Sequence, residues 1–260
     1  MTPALALPPP FRLFAFERLT STNDEARRMA AEGAAEGTLV LAESQTAGRG
    51  RRGRHWDSPP GNLYCSLVLR PDCVLAEAAN LSFVAALGVA EAVRPVLPEG
   101  VALHFKWPND VLLGGRKAAG ILLESSSTEG RLDWLVLGVG LNLERFPQRT
   151  PFPATSLRAV GCTGGDVWGL VEGFCRGFGD WYERWRVEGF GPVRAAWLDR
   201  AAALDETIEV RLESERLLGR FLGLNATGAL ILETPDGKLR EVTAGDVFFP
   251  GAPAAAAGNG

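Results

Sequence analysis

Nothing in this sequence is spaced to hold zinc. The four cysteines, Cys65, Cys73, Cys162 and Cys175, form no CxxC pair, and only two histidines are present. That pattern predicts free thiols in a reducing cytoplasm. A basic excess is missing as well: 27 Lys and Arg face 31 Asp and Glu, for a net charge of −4, which argues against a dedicated nucleic-acid binder. No hydrophobic run reads as long enough to span a bilayer, and Met1–Pro10 has prolines where a signal peptide needs a charged start and an unbroken apolar stretch. The expectation is a cytoplasmic protein without membrane or nucleic-acid partners. No internal repeat is found.

What is present is ample material for a core, with 46% hydrophobic residues in 260, a length that suits one large domain and one small one. Phe11–Leu19 alternates like a strand, and Thr22 to Glu25 has the spacing of a capping box, so a helix is expected to about Ala31. Strands follow at Thr38–Glu43 and Asn62–Leu69, then a helix over Leu75 to Val93. Ala102–Lys106 is a short strand that Pro108 interrupts, and Gly114-Gly115 predicts a hairpin turn between Asp110–Leu113 and Lys117–Glu124. Trp134–Leu143 is a further strand. Helical spacing returns from Gly165 to about Arg186, where Phe174, Phe178, Trp181, Tyr182 and Trp185 mark a buried face, and from Val193 to Ala203. Beyond Leu204 come short alternating segments, Thr207–Leu212, Arg220–Leu224, Ala229–Glu233 and Leu239–Thr243, the texture of a small SH3-like barrel. The expected division is therefore 11–203 and 204–250, with disordered tails at 1–10 and 251–260.

The segment Gly48-Arg49-Gly50-Arg51-Arg52-Gly53-Arg54-His55-Trp56 interleaves four arginines with three glycines. Glycine lets backbone N–H groups approach a ligand, and each guanidinium offers a planar fork to carboxylate or phosphate, so the loop reads as an anion-gripping lid. Other polar residues fall at strand ends and in loops: Ser21, Thr22 and Asn23, Gln45, Lys106 to Asp110, Lys117 and Asn142. Neutral donors and acceptors such as Ser21, Thr22 and Gln45 suit an amide or ureido ring, whereas the cations suit a carboxylate and phosphates. A ligand with both ends is called for. Each residue also has a plain structural reading: Thr22 as a helix cap, Asp110 as a partner of Lys106, Asn142 as a turn residue, and Lys117 as a solvated hairpin lysine.

These motifs, in this order, resemble the biotin protein ligase family, also called biotin–[acetyl-CoA-carboxylase] ligase. The resemblance rests on Ser21-Thr22-Asn23-Asp24, Gln45 to Arg54, Lys106-Trp107-Pro108-Asn109-Asp110, Lys117-Ala118-Ala119-Gly120-Ile121-Leu122 and Gly138-Val139-Gly140-Leu141-Asn142, and runs from about Phe14 to Phe249. It implies an α+β fold: a mixed β-sheet catalytic domain with helices packed on one side, as in class II synthetases and lipoyl transferases, followed by an SH3-like β-barrel. It implies that biotin attacks ATP to give biotinyl-5′-AMP and pyrophosphate, and that a lysine of a biotin carboxyl carrier protein, an acetyl-CoA carboxylase subunit, then takes the biotinyl group.

By matching position, the resemblance assigns biotin to Ser21, Thr22, Asn23, Gln45, Gly48, Arg49, Gly50, Arg51, Trp56, Lys117 and Gly120. It assigns ATP to Arg49, Arg51, Arg52, Arg54, Trp56, Lys106, Asn109, Lys117 and Asn142. Lys117, Arg51 and Asp110 are the catalytic set, with Lys117 bridging the two reacting anions and Asp110 orienting the acceptor lysine. Mg²⁺ is expected to arrive with ATP, without a dedicated protein site. Members with an N-terminal helix-turn-helix also act as repressors. Met1 to Pro10 is too short for one, so ligase activity without repression is expected, with a homodimer possible. Phe248-Phe249-Pro250 stands where some relatives have a basic residue, so the barrel's part in ATP binding is open. The competing readings are a lipoate or octanoate transferase and, from another class, a nucleic-acid-binding module.

Overall fold

The computed structural model describes residues 6–250; residues 1–5 and the expected tail 251–260 lie outside the described residues. Within the expected N-terminal tail, Ala6 donates its N–H to Glu172 at 3.1 Å and Leu7 packs against the core. The chain then alternates strands and helices. β1 (Arg12–Leu19), α1 (Thr22–Ala31), β2 (Thr38–Gln45) and β3 (Leu63–Leu69) are followed by α2 (Leu75–Ala78), α3 (Leu81–Val93), β4 (Leu103–Lys106), β5 (Asp110–Leu113), β6 (Arg116–Thr128) and β7 (Arg131–Leu141). These strands form a seven-stranded mixed sheet in the order β1-β2-β3-β7-β6-β5-β4, parallel between β1 and β2 and antiparallel elsewhere. Helices α4 (Val167–Glu188) and α5 (Phe190–Leu198) complete the unit.

Side chains of a strand alternate between the faces of a sheet, and the strands here sort themselves accordingly. Leu39, Leu41, Leu67, Leu69, Leu135 and Leu137 enter the main core beneath α3, α4 and α5. Their neighbours Val40, Val68 and Val136 point the other way and form a small second core with Ala26 and Ala30 of α1. Most of the helical layer thus lies on one face, and α1 alone covers part of the other. The aromatic residues of α4 are core, as their spacing predicts: Phe178, Tyr182 and Trp185 stack at 5.5 and 5.9 Å between ring centroids.

The expected continuous helix over Leu75 to Val93 is two helices, α2 and α3, and the reading of hydrophobic runs needs correction there. Leu75–Val96 is long and apolar enough to cross a membrane by length and composition. Nearly every side chain of α3 is buried between the sheet and α4, the expected fate of a helix that is apolar all round. A sequence alone does not distinguish a core helix from a span when the run is continuous.

After α5 the chain passes along β4, where Phe105 N–H donates to Arg200 O at 2.8 Å and Phe105 O accepts from Ala202 N–H at 2.7 Å, so the outer edge of β4 is covered. Five strands follow: β8 (Thr207–Arg211), β9 (Arg216–Leu224), β10 (Leu230–Glu233), β11 (Leu239–Val242) and β12 (Asp246–Phe248). They form an antiparallel sheet in the order β11-β10-β9-β8-β12. Its apolar residues Ile208, Val210, Phe221, Leu230 and Leu232 continue the main core without a break. The indole N–H of Trp107, in the β4–β5 turn, donates to Gly228 O at 3.1 Å and ties the two sheets together.

Candidate active site

One cleft of about 320 Å³ opens at the junction of the two sheets. Its floor is backbone. Gly120 of β6 lies opposite Gly140 of β7 in register, and Leu122 opposite Gly138. The indole of Trp56 lies on this floor, so close that a Cβ on Gly140 would sit 2.6 Å from it. The indole N–H of Trp56 is buried and has no acceptor among the described residues.

At one end of the cleft stand Ser21, Thr22, Asn23 and Gln45, beside Cys65, Leu122 and Val139. The direction of the hydrogen bonds there is fixed by groups that can act in only one way. Ser58 Oγ donates to Trp56 O at 2.9 Å and therefore accepts from Gln45 Nε2 at 2.9 Å. That turns Gln45 Oε1 toward the Thr22 backbone N–H, 2.8 Å away. On the other side, the Glu124 carboxylate accepts from Asn23 Nδ2 at 2.7 Å, which leaves Asn23 Oδ1 to accept from Ser66 Oγ at 2.6 Å. The Thr22 hydroxyl, 2.8 Å from Ser66 Oγ and 3.1 Å from Gln45 Oε1, then has acceptors for its one proton on both protein sides. Its lone pairs are left for the cleft, beside the second N–H of the Gln45 amide. An acceptor next to a donor matches a ligand with adjacent N–H and C=O groups.

The capping box expected of Thr22 is not formed. Ser21 is the N-cap of α1 and makes no side-chain cap bond, and the Gln45 carboxamide oxygen meets the first helical N–H from outside.

The other end is cationic. Lys106 and Asp110 face each other across the β4–β5 hairpin at 2.8 Å, and Lys117 from β6 reaches the second carboxylate oxygen at 2.6 Å. Lys106 and Asp110 side chains are each only 7% exposed, whereas Lys117 is 26% exposed and turned to the cleft. Burial alone would push the Asp110 carboxyl up, but the two ammonium groups outweigh it and hold it well below the usual carboxylate range. Burial pulls Lys106 below its ordinary value against the attraction of Asp110. Lys106 also lies 4.8 Å from the centre of the Phe152 ring, and Lys117 lies 5.2 Å from that of Trp56.

The Arg/Gly loop is folded down over the cleft. Its backbone closes on itself through Gly50 N–H to Arg54 O at 2.7 Å and Trp56 N–H to Gly48 O at 2.9 Å. Arg49 forks onto Asp24 at 2.7 and 3.0 Å and reaches Glu124 at 3.3 Å, and these bonds, Asp24 first, raise its pKa. Arg51 donates to Gly245 O at 3.1 Å, and Arg54 to Asp246 at 2.9 Å. Burial lowers the Arg51 pKa despite Asp246.

The cleft therefore gathers Ser21, Thr22, Asn23, Gln45, Arg49, Gly50, Arg51, Arg54, Trp56, Lys106, Asn109, Asp110, Lys117, Gly120 and Asn142. Two expected residues do not line it. Gly48 packs under the loop, where a Cβ would meet Ser58 and Trp56 O within 2.5 Å, and Arg52, at a left-handed φ of 55°, brings its guanidinium only within 4.0 Å of Asp246. Asn109 and Asn142 each give one amide N–H to the backbone, to Ile121 O at 2.6 Å and Thr155 O at 2.9 Å. Sequence reasoning missed Ser58, Ser66, Glu124, Arg149, Phe152 and Asp246. Ser66 and Glu124 read as ordinary strand residues; only the Arg loop's need for counter-charges could have singled out Glu124 and Asp246.

Comparison with known proteins gives one consistent answer. Residues 15–142 match the biotin/lipoate A/B protein ligase family and residues 203–249 the biotin protein ligase C terminal domain. A biotin–[acetyl-CoA-carboxylase] ligase of Paracoccus denitrificans is 41% identical over 239 residues, covering 90% of this chain and 99% of that protein. The bifunctional ligase/repressor BirA of Bacillus subtilis is 34% identical, over 88% of this chain and 71% of its own length. Among solved structures, the Aquifex aeolicus biotin protein ligase in complex with biotin and ATP superposes with a TM-score of 0.77 at 25% identity, over 91% of this chain and 97% of that one. The Leishmania major biotin protein ligase in complex with biotinyl-5-AMP gives a TM-score of 0.66 at 28% identity, covering 91% of this chain and all of that one.

Proposed function

The chain belongs to the biotin protein ligases of the biotin/lipoate A/B protein ligase family, and from that membership and the geometry of the cleft we propose the division of labour that follows. The protein is an ATP-dependent ligase: it activates biotin on ATP and transfers it to the acetyl-CoA carboxylase carrier. One observation carries the assignment of residues. A neutral subsite with a fixed hydrogen-bond direction and a cationic subsite face the same cleft, with Lys117 between them.

Biotin's ureido ring belongs at the neutral end, where the Thr22 hydroxyl accepts its N–H and the Gln45 amide donates to its carbonyl. The valeryl chain then runs beside the Trp56 indole, which itself covers the Gly120 and Gly140 backbone, and its carboxylate reaches Lys117. The α-phosphate is held from the other side by Lys117 and Arg51, and the departing pyrophosphate by Arg54 and Lys106. Attack of the carboxylate on the α-phosphorus forms the mixed anhydride and breaks the bond to the β-phosphate oxygen. Two anions are brought together in this step, so positioned cations supply most of the catalysis. Asp110 is a positioning residue here, since its carboxylate holds Lys106 and Lys117 in place. Once Lys117 turns to the substrate, Asp110 Oδ1 is available to orient the acceptor amine, whose attack on the acyl carbon releases AMP.

Mg²⁺ belongs to this reading as a companion of the ATP phosphates, whose charge it offsets. Among the described residues no group of three or more His, Cys, Asp or Glu side chains is placed to hold an ion by itself. The acceptor is a biotin carboxyl carrier domain, and the reaction is cytoplasmic, in keeping with four unpaired cysteines. The test is biotin-dependent exchange of pyrophosphate into ATP: it should proceed with the native protein and fall by about a thousand-fold or more in Lys117→Gln. Exchange undiminished by that substitution would remove Lys117 from the adenylation step.

A further inference from the structure

The loop arginines that the proposed function assigns to phosphate, Arg51 and Arg54, are in this structure gathered with Arg52 around one carboxylate of the other sheet. Asp246 opens β12 and lines the cleft. Its oxygens lie 2.9 Å from Arg54 Nη2, 3.9 Å from Arg51 Nη1 and 4.0 Å from Arg52 Nη1. The neighbouring carbonyl of Gly245 accepts from Arg51 at 3.1 Å. Among the described residues no other carboxylate lies within ion-pair distance of these three guanidiniums. Three positive charges against one negative leave a surplus that a polyphosphate would meet better than Asp246 does.

We infer that Asp246 is a counter-anion supplied by the C-terminal sheet, which holds the loop guanidiniums at the phosphate subsite and is displaced from them when ATP binds. It acts on the nucleotide only through the arginines, as a competitor of phosphate for them. This rests on the proposed function, and it gives the C-terminal sheet a part in nucleotide binding although the chain has Phe248-Phe249-Pro250 there.

Asp246 sets where the guanidinium ends point, not whether the loop is folded. The loop backbone is held by its own bonds from Gly50 to Arg54 and from Trp56 to Gly48, and by the Arg49 fork on Asp24 and Glu124, none of which involves β12. Removing the carboxylate therefore removes a competitor of phosphate while the loop stays in place. A residue that merely braced the loop would have the opposite effect on ATP.

The experiment is calorimetric titration of the biotin-saturated protein with α,β-methylene-ATP, whose carbon bridge prevents release of pyrophosphate. Native protein, Asp246→Asn and Asp246→Glu are compared. The pairs are partly solvated, so tightening of the analogue by roughly three- to ten-fold is expected in Asp246→Asn, with near-native affinity in Asp246→Glu. Biotin affinity should stay within about two-fold of native, and hydrogen exchange of the amides of 49–56 should be unaltered, as a folded loop requires. Unchanged or weaker analogue binding by Asp246→Asn, with native protein binding normally, would overturn the inference alone. Failure of the native protein to bind both biotin and the analogue would overturn the proposed function and this inference with it.

Discussion

Replacing Asp110 by Asn tests the electrostatics of the cleft most severely, because it keeps the volume of the side chain and deletes the one charge that Lys106 and Lys117 share. Lys106 is then left buried, its ammonium without a counter-ion. Breaking a buried pair in this way costs about 3–5 kcal/mol. The loss has a ceiling, since Lys106 can give up its proton instead. Neutralising it at pH 7 from its ordinary value of 10.5 costs about 5 kcal/mol, at roughly 1.4 kcal/mol per pH unit.

For a chain of this size the melting temperature should fall by roughly 6–20 °C, at about 2–4 °C per kcal/mol. The sign of the pH dependence follows. In the variant, folded Lys106 titrates below its unfolded value of 10.5, so between those two values the unfolded state binds more protons and stability rises with pH. The deficit relative to the native protein should therefore shrink on going from about pH 7 to about pH 9.5. In the native protein, the depressed Asp110 pKa contributes stability that is complete above its unfolded value near 3.8 and lost as pH falls below it. Thermal melts by circular dichroism at these two pH values read the Lys106 effect, and melts of the native protein on acidification below about pH 3.8 read that of Asp110. A melting temperature within about 2 °C of native at neutral pH, or a deficit that does not shrink, would refute the reasoning.

Gly140→Ala puts a methyl group 2.6 Å from the Trp56 indole, and relieving that overlap costs about 1–3 kcal/mol; the melting temperature should fall by roughly 2–12 °C and the KM for biotin rise by about ten-fold or more. Asn62→Ala removes a buried carboxamide whose oxygen accepts the N–H groups of Leu143, Glu144 and Arg145 at 2.9–3.0 Å. Stranding them should cost about 3 kcal/mol in urea unfolding, and a loss under 1 kcal/mol would count against that network. Iodoacetamide at neutral pH should label the partly exposed Cys73 in the native state and spare the buried Cys65 and Cys175; burial pushes up all three thiols, that of Cys175 to about 12, and peptide mapping by mass spectrometry reads the difference.

Local patterns located most elements, since the period of the side chains and the turn residues are local properties. Gly114 and Gly115 both adopt positive φ, 54° and 74°, as their hairpin turn requires. Failures came where the deciding partner is distant in sequence. Thr22 has the spacing of a cap, but its hydroxyl is taken by Gln45 and Ser66, 23 and 44 residues away. β12 is three residues long and carries no periodicity, yet it brings Asp246 to a loop 192 residues earlier. For the site, residue types and motif order brought most of the cleft together in advance. Which of those residues bind ligand and which serve the backbone depends on contacts no spacing encodes: Gly48 gives way to Ser58 and Trp56, Arg52 stands off the cleft beside Asp246, and Asn109 and Asn142 secure neighbouring carbonyls.

In the proposed function this cleft joins biotin to adenylate through Lys117, and mass spectrometry of the ligand bound after incubation with ATP, Mg²⁺ and biotin tests that step directly. Biotinyl-5′-AMP should form with the native protein, be missing with Lys117→Gln, and have no lipoyl counterpart when lipoate replaces biotin. An acyl-adenylate formed from lipoate but not from biotin, or no adenylate from either, would contradict the account.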